Sequence, residues 1–400
     1  MHKKREEKGL RHLLQYARER IHLNEALHSI TDQRTTPQIS VATIAEAVIV
    51  GAVLGERSLR AVDHRMRHEM LKGWYGCRER SGVVSDSTIA RVVHDISEED
   101  MERVLTHMGR WARQAGLSQY GVGREQVRMG IVDGTSMGKQ LTSCLLMAGR
   151  IHTVMGMQQM EKKGKELPTT LALLRRAKEQ YGRGFADVIV GDGLYACTSF
   201  FRCCQEIGAC GVVKTDEETL AIREDIDGMC DAPVRLPDVE CIRGFDSERC
   251  CTYTVYRVRS LEWQDTGIML QGIRVDETYH SGPYKGQTHR FYILVSQELE
   301  LDAMVLREIA HGRWIIENNG FKGMNEQVHS KHLFSHDPHT ALILSYLQVI
   351  GYMLIELYKV WMTQCQEHMR GMWDHGSCSY QFLRDQLVCS LEGSAGWNSS

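Results

Sequence analysis

Two short runs constrain this 400-residue chain more than anything else in it. Gly130-Ile131-Val132-Asp133-Gly134-Thr135 and Val188-Ile189-Val190-Gly191-Asp192-Gly193-Leu194-Tyr195 each close a short β-branched stretch with an aspartate and a glycine. Stretches of this kind suit strands buried on both faces. Both aspartates are therefore expected at the C-terminal ends of buried strands, where sheet sites are usually built. A third carboxylate, Glu317, interrupts the otherwise apolar and aromatic helical turn Gly312-Arg313-Trp314-Ile315-Ile316-Glu317-Asn318-Asn319-Gly320-Phe321.

The residues between these points have a readable order. Residues 141–147 and 151–157 flank Ala148-Gly149-Arg150 and predict an antiparallel hairpin after the first strand. A helix follows, with Pro168 in its first turn and Leu171, Leu173, Leu174 and Ala177 on its apolar face. Asp192 ends the next strand, a helix starts near Thr198, and Gly211-Val212-Val213-Lys214 reads as a further strand. From Thr215 to Gln297 period-two alternation dominates, and the loop from Tyr279 to Arg290 mixes aromatic and basic side chains, a composition suited to unpaired nucleotides. Asp302 is placed to cap the helix that carries Glu317. Upstream, Leu10, Leu13, Leu14, Ala17 and Ile21 predict one amphipathic helix over residues 1–35. Ser85-Asp86-Ser87-Thr88 starts a capped helix of the kind that opens the second half of a helix-turn-helix, and plain helical bundles use the same cap. Gly116, Gly121 and Gly123 suggest a linker.

Read together, the segments around Asp133, Asp192 and Glu317 resemble the catalytic core of DDE-type insertion-sequence transposases, over roughly residues 127–358. The resemblance implies an α/β fold: a ribonuclease-H-like mixed sheet flanked by helices, with a β-rich insertion and an N-terminal all-helical domain. It divides the chain into an N-terminal arm (1–35), a helical domain that binds transposon ends (36–120), the first part of the core (125–215), the insertion (216–297), the second part of the core (298–362) and a tail (363–400). It makes Asp133, Asp192 and Glu317 the catalytic and metal-binding set. Two divalent ions, Mg²⁺ or Mn²⁺, about 3.5 to 4 Å apart would then activate the nucleophile and stabilise the leaving oxygen, with Asp133 between them. Around that set the resemblance assigns DNA contacts to Arg313, Lys214, Tyr195, Trp314, Asn318 and Lys322. Ala310 stands where the family pattern has a Tyr, and Met324 and Asn325 fill the place of its Lys. The implied partners are double-stranded DNA, as terminal inverted repeats and target, and a second copy of the chain in the active complex. The implied setting is the bacterial cytoplasm.

Composition tests these expectations from outside. The balance of 42% hydrophobic to 25% charged residues is that of an ordinary globular protein able to bury a core. A net charge of −3 places any DNA contact in local patches, at Lys3 to Lys8, Arg57 to Arg80 and Arg243 to Arg259. Thirteen cysteines, an odd number without a Cys-x-x-Cys, point to reduced thiols in a cytosolic protein rather than a zinc ribbon or a disulfide framework. The apolar stretch 341–362 contains Gln348, Glu356 and Lys359, which a bilayer would penalise, so no membrane span is expected. His332 and His336 are one turn apart, but Pro338 follows and no Glu lies between them, so the zinc-protease pattern is absent. Two rival readings stay open: a catalytically inactive, transposase-derived DNA-binding protein, and a metal-dependent hydrolase of small phosphoesters.

Overall fold

The computed structural model describes residues 9–67, 84–216, 221–234, 236–263, 266–365, 385 and 387–388. The patch Lys3 to Lys8 and much of Arg57 to Arg80 lie outside them. Helices α1 (Leu10–Glu19), α2 (Leu23–His28), α3 (Val41–Val53), α4 (Leu59–Met66), α5 (Asp86–His94) and α6 (Glu98–Gln114) come first. The single helix expected for residues 1–35 is broken, because His22 adopts a left-handed φ of 57° between α1 and α2. Ser85 caps α5 through its hydroxyl, which accepts from the Thr88 amide. Of the glycines expected to mark a linker, Gly121 lies inside and Gly123 in the turn of a small hairpin of β1 (Tyr120–Val122) and β2 (Glu125–Val127), and Gly116 precedes it.

The remaining strands are β3 (Met129–Met137), β4 (Gln140–Met147), β5 (Thr153–Gln159), β6 (Val188–Gly191), β7 (Cys210–Thr215), β8 (Val239–Asp246), β9 (Cys251–Glu262), β10 (Met269–Tyr279) and β11 (Thr288–Ser296). All nine form one mixed sheet in the order β5-β4-β3-β6-β7-β11-β10-β9-β8. Pairing is parallel between β3 and β6 and between β6 and β7, and antiparallel elsewhere. The strand-rich segment thus extends the same sheet, since β11 hydrogen-bonds to the outer edge of β7.

Helices cover both faces. Val132, Ile189 and Val213 point to one side, onto α7 (Glu166–Tyr181), α8 (Thr198–Ile207) and α9 (Ala221–Cys230). Met129, Ile131, Val190 and Val212 point to the other, which is covered by the N-terminal helices, α10 (Ala303–Gly312), α11 (Lys322–Val328) and α12 (Pro338–Cys365). This alternation sends Asp133, two residues after Ile131, to the α10 side.

The apolar stretch suspected of crossing a membrane is the centre of this second layer: residues 338–360 are long and apolar enough to do so, yet the most apolar 18-residue window within them is entirely buried inside the protein. Its polar interruptions have internal partners, Gln348 donating to the Val328 carbonyl and Glu356 accepting from His152. Every residue of α3 except Thr43 is buried, and α3 packs on α12 so closely that a Cβ at Gly351 would stand 3.0 Å from the Ala52 methyl. The N-terminal helices and α12 therefore share one core. Each large apolar side chain in it contributes roughly 1.5 to 3 kcal/mol by burial, so removing α12 costs more than the 5 to 15 kcal/mol that holds a typical domain folded. A fragment of residues 1–121 is accordingly expected to be unfolded or aggregated, judged by circular dichroism and sedimentation; a soluble, cooperatively melting fragment would show that the helical layer stands alone.

Candidate active site

Asp192 follows the last residue of β6 as expected, but Asp133, opposite Cys144 of β4, lies within β3 and not at its end, because pairing with β4 carries that strand on to Met137. Because β3 and β6 are parallel neighbours in register, Ile131 beside Val190, the two carboxylates emerge side by side at the same end of the sheet. Each is fixed by a local amide: Gly134 N donates to Asp133 Oδ1 at 2.7 Å, and Leu194 N to Asp192 Oδ1 at 3.0 Å. Burial pushes the Asp133 carboxyl up to about 7, with the charges of Asp192 and Glu166 adding to the rise and the Gly134 amide and Arg313 opposing it. The Cys144 thiol opposite is pushed up to about 12 by its burial and then by the charge of Asp133, so it is no nucleophile.

Glu317 arrives from the other layer, and not on a regular helix. Asp302 caps α10 as expected, but α10 stops at Gly312, and Ile316–Phe321 form a π-helical turn before α11. Such turns are rare and collect at functional sites. Arg313, at the junction, donates to Glu317 at 2.7 Å and stands 3.8 Å from Asp133, joining the helix carboxylate to the strand carboxylate. Its guanidinium also lies 4.8 Å over the ring of Trp314, which is 47% exposed.

Arg313 and Trp314 form one wall of a cleft of about 610 Å³, with Asp192, Lys214, Tyr284 and His289 among its other residues. The cleft thus draws on the ends of β6 and β7, on α10 and on the hairpin of β10 and β11, where the His289 ring meets Tyr279 and Tyr284 edge-on and those two rings are tilted against each other. Lys214 lies 4.1 Å over the Phe291 ring, and burial lowers its ammonium to about 8. Asn318 and Lys322 are exposed, and Lys322 is 3.9 Å from Glu326.

Tyr195 does not face the cleft. It is fully buried, its hydroxyl donating to Glu166 at 2.9 Å and sharing a 3.0 Å hydrogen bond with Thr170, so it cannot touch DNA in this conformation. What it holds is a residue that sequence reasoning missed. Glu166, the first residue of α7, reaches the strand end from the opposite face, and a Cβ at position 134 would lie 2.5 Å from its Oε2. Gly134 is needed for that approach. Nothing in the charged run Glu161-Lys162-Lys163-Gly164-Lys165-Glu166 marks this residue out.

The patch from Arg243 to Arg259 is largely consumed within the protein: Arg249 pairs with Asp246 and Glu308, buried Arg257 with Gln271, and Arg259 with Glu240. The histidines are dispersed too. His339 contacts the Ile96 carbonyl, His329 the Gly55 carbonyl, and His332 packs edge-on against Phe334.

Among the described residues no three His, Cys, Asp or Glu side chains converge closely enough to hold one metal ion. The donor chemistry at Asp133 and Asp192 still suits magnesium, which takes one or two carboxylates and fills its shell with water. Glu317 is instead engaged by Arg313.

No family model matches the sequence, and no curated protein matches it. One solved structure it is similar to is the piggyBac transposase in a synaptic complex with hairpin DNA. The likeness is coarse. Identity is 10% and the TM-score 0.41, over 97% of this chain and 82% of that one.

Proposed function

We propose that the chain is a DDE-type transposase of ribonuclease-H-like fold, which binds transposon ends and carries out metal-dependent DNA cleavage and strand transfer. The observation that carries this reading is that Asp133 and Asp192 emerge side by side just beyond the parallel pairing of β3 with β6, inside the strand order β5-β4-β3-β6-β7. Strand, hairpin, helix, strand, helix, strand is the order of a ribonuclease-H-like sheet, with its first and fourth strands adjacent. In this reading β8 to β11 are the insertion that some of these transposases carry.

Asp133 and Asp192 would hold a divalent cation, with Glu317 completing the set once DNA draws Arg313 away; the ion supplies charge neutralisation and an activated water or hydroxyl. Lys214, Arg313, Asn318, Lys322 and the exposed face of Trp314 would line the path of the strand to be cut. The partners are then duplex DNA and a second copy of the chain. The direct test is to incubate the protein with a plasmid carrying the inverted repeats that flank its gene, with Mg²⁺, with Mn²⁺ or with chelator. Strand ends at the repeats that need the metal support the reading; binding without cleavage under every condition favours an inactive DNA-binding derivative.

Arg313 gives a sharper test. Its ion pair with Glu317 has i,i+4 spacing across the π turn, and exposed pairs of that spacing on regular helices are worth only roughly 0.2 to 0.5 kcal/mol. Arg313→Ala should therefore melt near the wild-type temperature while losing most strand transfer, and Arg313→Lys should recover only part, because an ammonium cannot make a bidentate bond to phosphate. A large fall in melting temperature, with every activity reduced in step, would make the residue structural.

A further inference from the structure

A second cleft, of about 630 Å³, opens at the opposite end of the sheet. Arg128 immediately precedes β3 and lies at its mouth, so at about 3.3 Å per residue the cleft is roughly 16 Å along the strand from Asp133. Arg110 and Arg113, from the last turns of α6, complete a group of three guanidinium ions. Arg128 is neutralised by Asp187, but Arg110 and Arg113 have no carboxylate partner among the described residues. They donate to the Gln180 and Tyr181 carbonyls at the end of α7, and Glu179 is the acidic residue on the rim. A guanidinium has five N–H donors, so these contacts leave most of them untaken. Ser118 also lines the cleft. It is 2% exposed, and its hydroxyl has no partner among the described residues.

Helix capping accounts for part of this arrangement but not for all of it. A buried hydroxyl without a partner costs about 1 to 3 kcal/mol, and clustered like charges add to that cost unless an anion enters. Arg113 shows the strain, its charge disfavoured by burial and by the nearby Arg128 and Arg110. Forked donors around an open groove match a phosphodiester better than an enclosed small molecule. We propose that this cleft binds the phosphate backbone of a DNA duplex, at a place separate from the carboxylate site. The inference rests on the DNA-binding reading above and adds to it a second contact, on a segment of DNA that does not enter the first cleft.

The test uses the full chain and a labelled duplex of random sequence, with affinity measured by fluorescence anisotropy across a range of salt. Arg110→Gln/Arg113→Gln should bind roughly 10-fold more weakly, with a slope of log affinity on log salt shallower by about 1 to 2. The corresponding double Lys variant should keep most of the slope. Ser118→Ala, which removes a hydroxyl that bonds nothing among the described residues, should weaken binding without lowering the melting temperature. Unchanged affinity and slope in a double Gln variant that melts lower would make the arginines helix caps and overturn the proposal, leaving the transposase reading intact. Inorganic phosphate that stabilises the wild type through Arg113 while duplex binding is unaffected would also overturn it, in favour of a free-phosphate site. A wild type that binds no duplex would overturn both readings.

Discussion

Asp133→Asn is expected to abolish DNA cleavage and, in the same protein, to raise the melting temperature of the metal-free form above neutral pH. The reason is crowding of like charge. Asp133 is mostly buried, 16% of its side chain being exposed, and it stands near Asp192 and Glu166, with the Gly134 amide and Arg313 at 3.8 Å compensating only in part. Its carboxyl is raised from the ordinary value near 4 to about 7, so the folded chain binds that proton more tightly than the unfolded chain does. Stability from this group is then complete below pH 4 and is lost as pH rises through 7. At about 1.4 kcal/mol per unit, the loss above pH 7 is on the order of 2 to 4 kcal/mol, which a neutral amide of the same shape avoids. Mg²⁺ should stabilise the wild type at pH 8 and leave the Asn variant unmoved. Thermal melts at pH 5 and pH 8, with and without the metal, decide it: an Asn variant that melts lower at pH 8 would discard the crowding argument, and one that still cleaves would discard Asp133 as a ligand.

The largest loss of stability is expected at Arg307, a residue that sequence reasoning did not single out. Arg307 is 1% exposed, and so is its partner Glu277, at 2.6 Å. The same guanidinium donates to Asp246 and Glu308, while Glu277 also accepts from His311 and from the Tyr279 hydroxyl. The cluster ties α10 to β8 and β10, and so fixes the helix that leads into Arg313 and Glu317. Burial works against ionisation of Glu277, and the hydrogen bonds from His311 and Tyr279, with the Arg307 charge, overcome it and hold the carboxyl at about 2. Its contribution is therefore present above about pH 4.5 and is lost as pH falls toward 2. Arg307→Met strands that charge and should cost about 3 to 5 kcal/mol, whereas replacing both partners with apolar residues should cost far less. Urea unfolding of the two single variants and the double variant at pH 7 measures the coupling. Additive losses would mean that the pair does not act as a unit.

Much of the first cleft was legible in the chain because its signals are local. A β-branched run reports burial on both faces of a strand, and Asp-Gly reports where that burial stops, which placed Asp192 just after the end of β6; Asp133 instead sits inside β3, because the strand continues past the buried run to Met137. Ser85 and Asp302 sit where short polar side chains satisfy free helix amides, and both do so. Helical periodicity has no such signature for a π turn, since one extra residue in the turn leaves the apolar spacing around Glu317 almost unchanged, and the break was not foreseen.

What the tertiary structure alone decided is which surfaces meet. Alternation made Thr215 to Gln297 strand-rich, which holds for residues 239–296 but not for the helix Ala221–Cys230, and only hydrogen bonds between β11 and β7, more than seventy residues apart in the chain, made those strands part of the same sheet. Composition made residues 243–259 a basic patch, and distant carboxylates such as Glu308 turned part of it into internal ion pairs. Tyr195 follows Asp192 closely enough in sequence to look like part of the same surface, yet the turn after β6 buries its ring and sets its hydroxyl on Glu166. Hydropathy marked α12 as long and apolar, and the packing of α3 against it settled that the apolar surface faces protein. Local sequence sets the period and the caps of each element, because backbone hydrogen bonding and side-chain rotamers act over a few residues. The partner of each exposed edge or buried charge is set by contacts between residues far apart in the chain, whose energies no local pattern records.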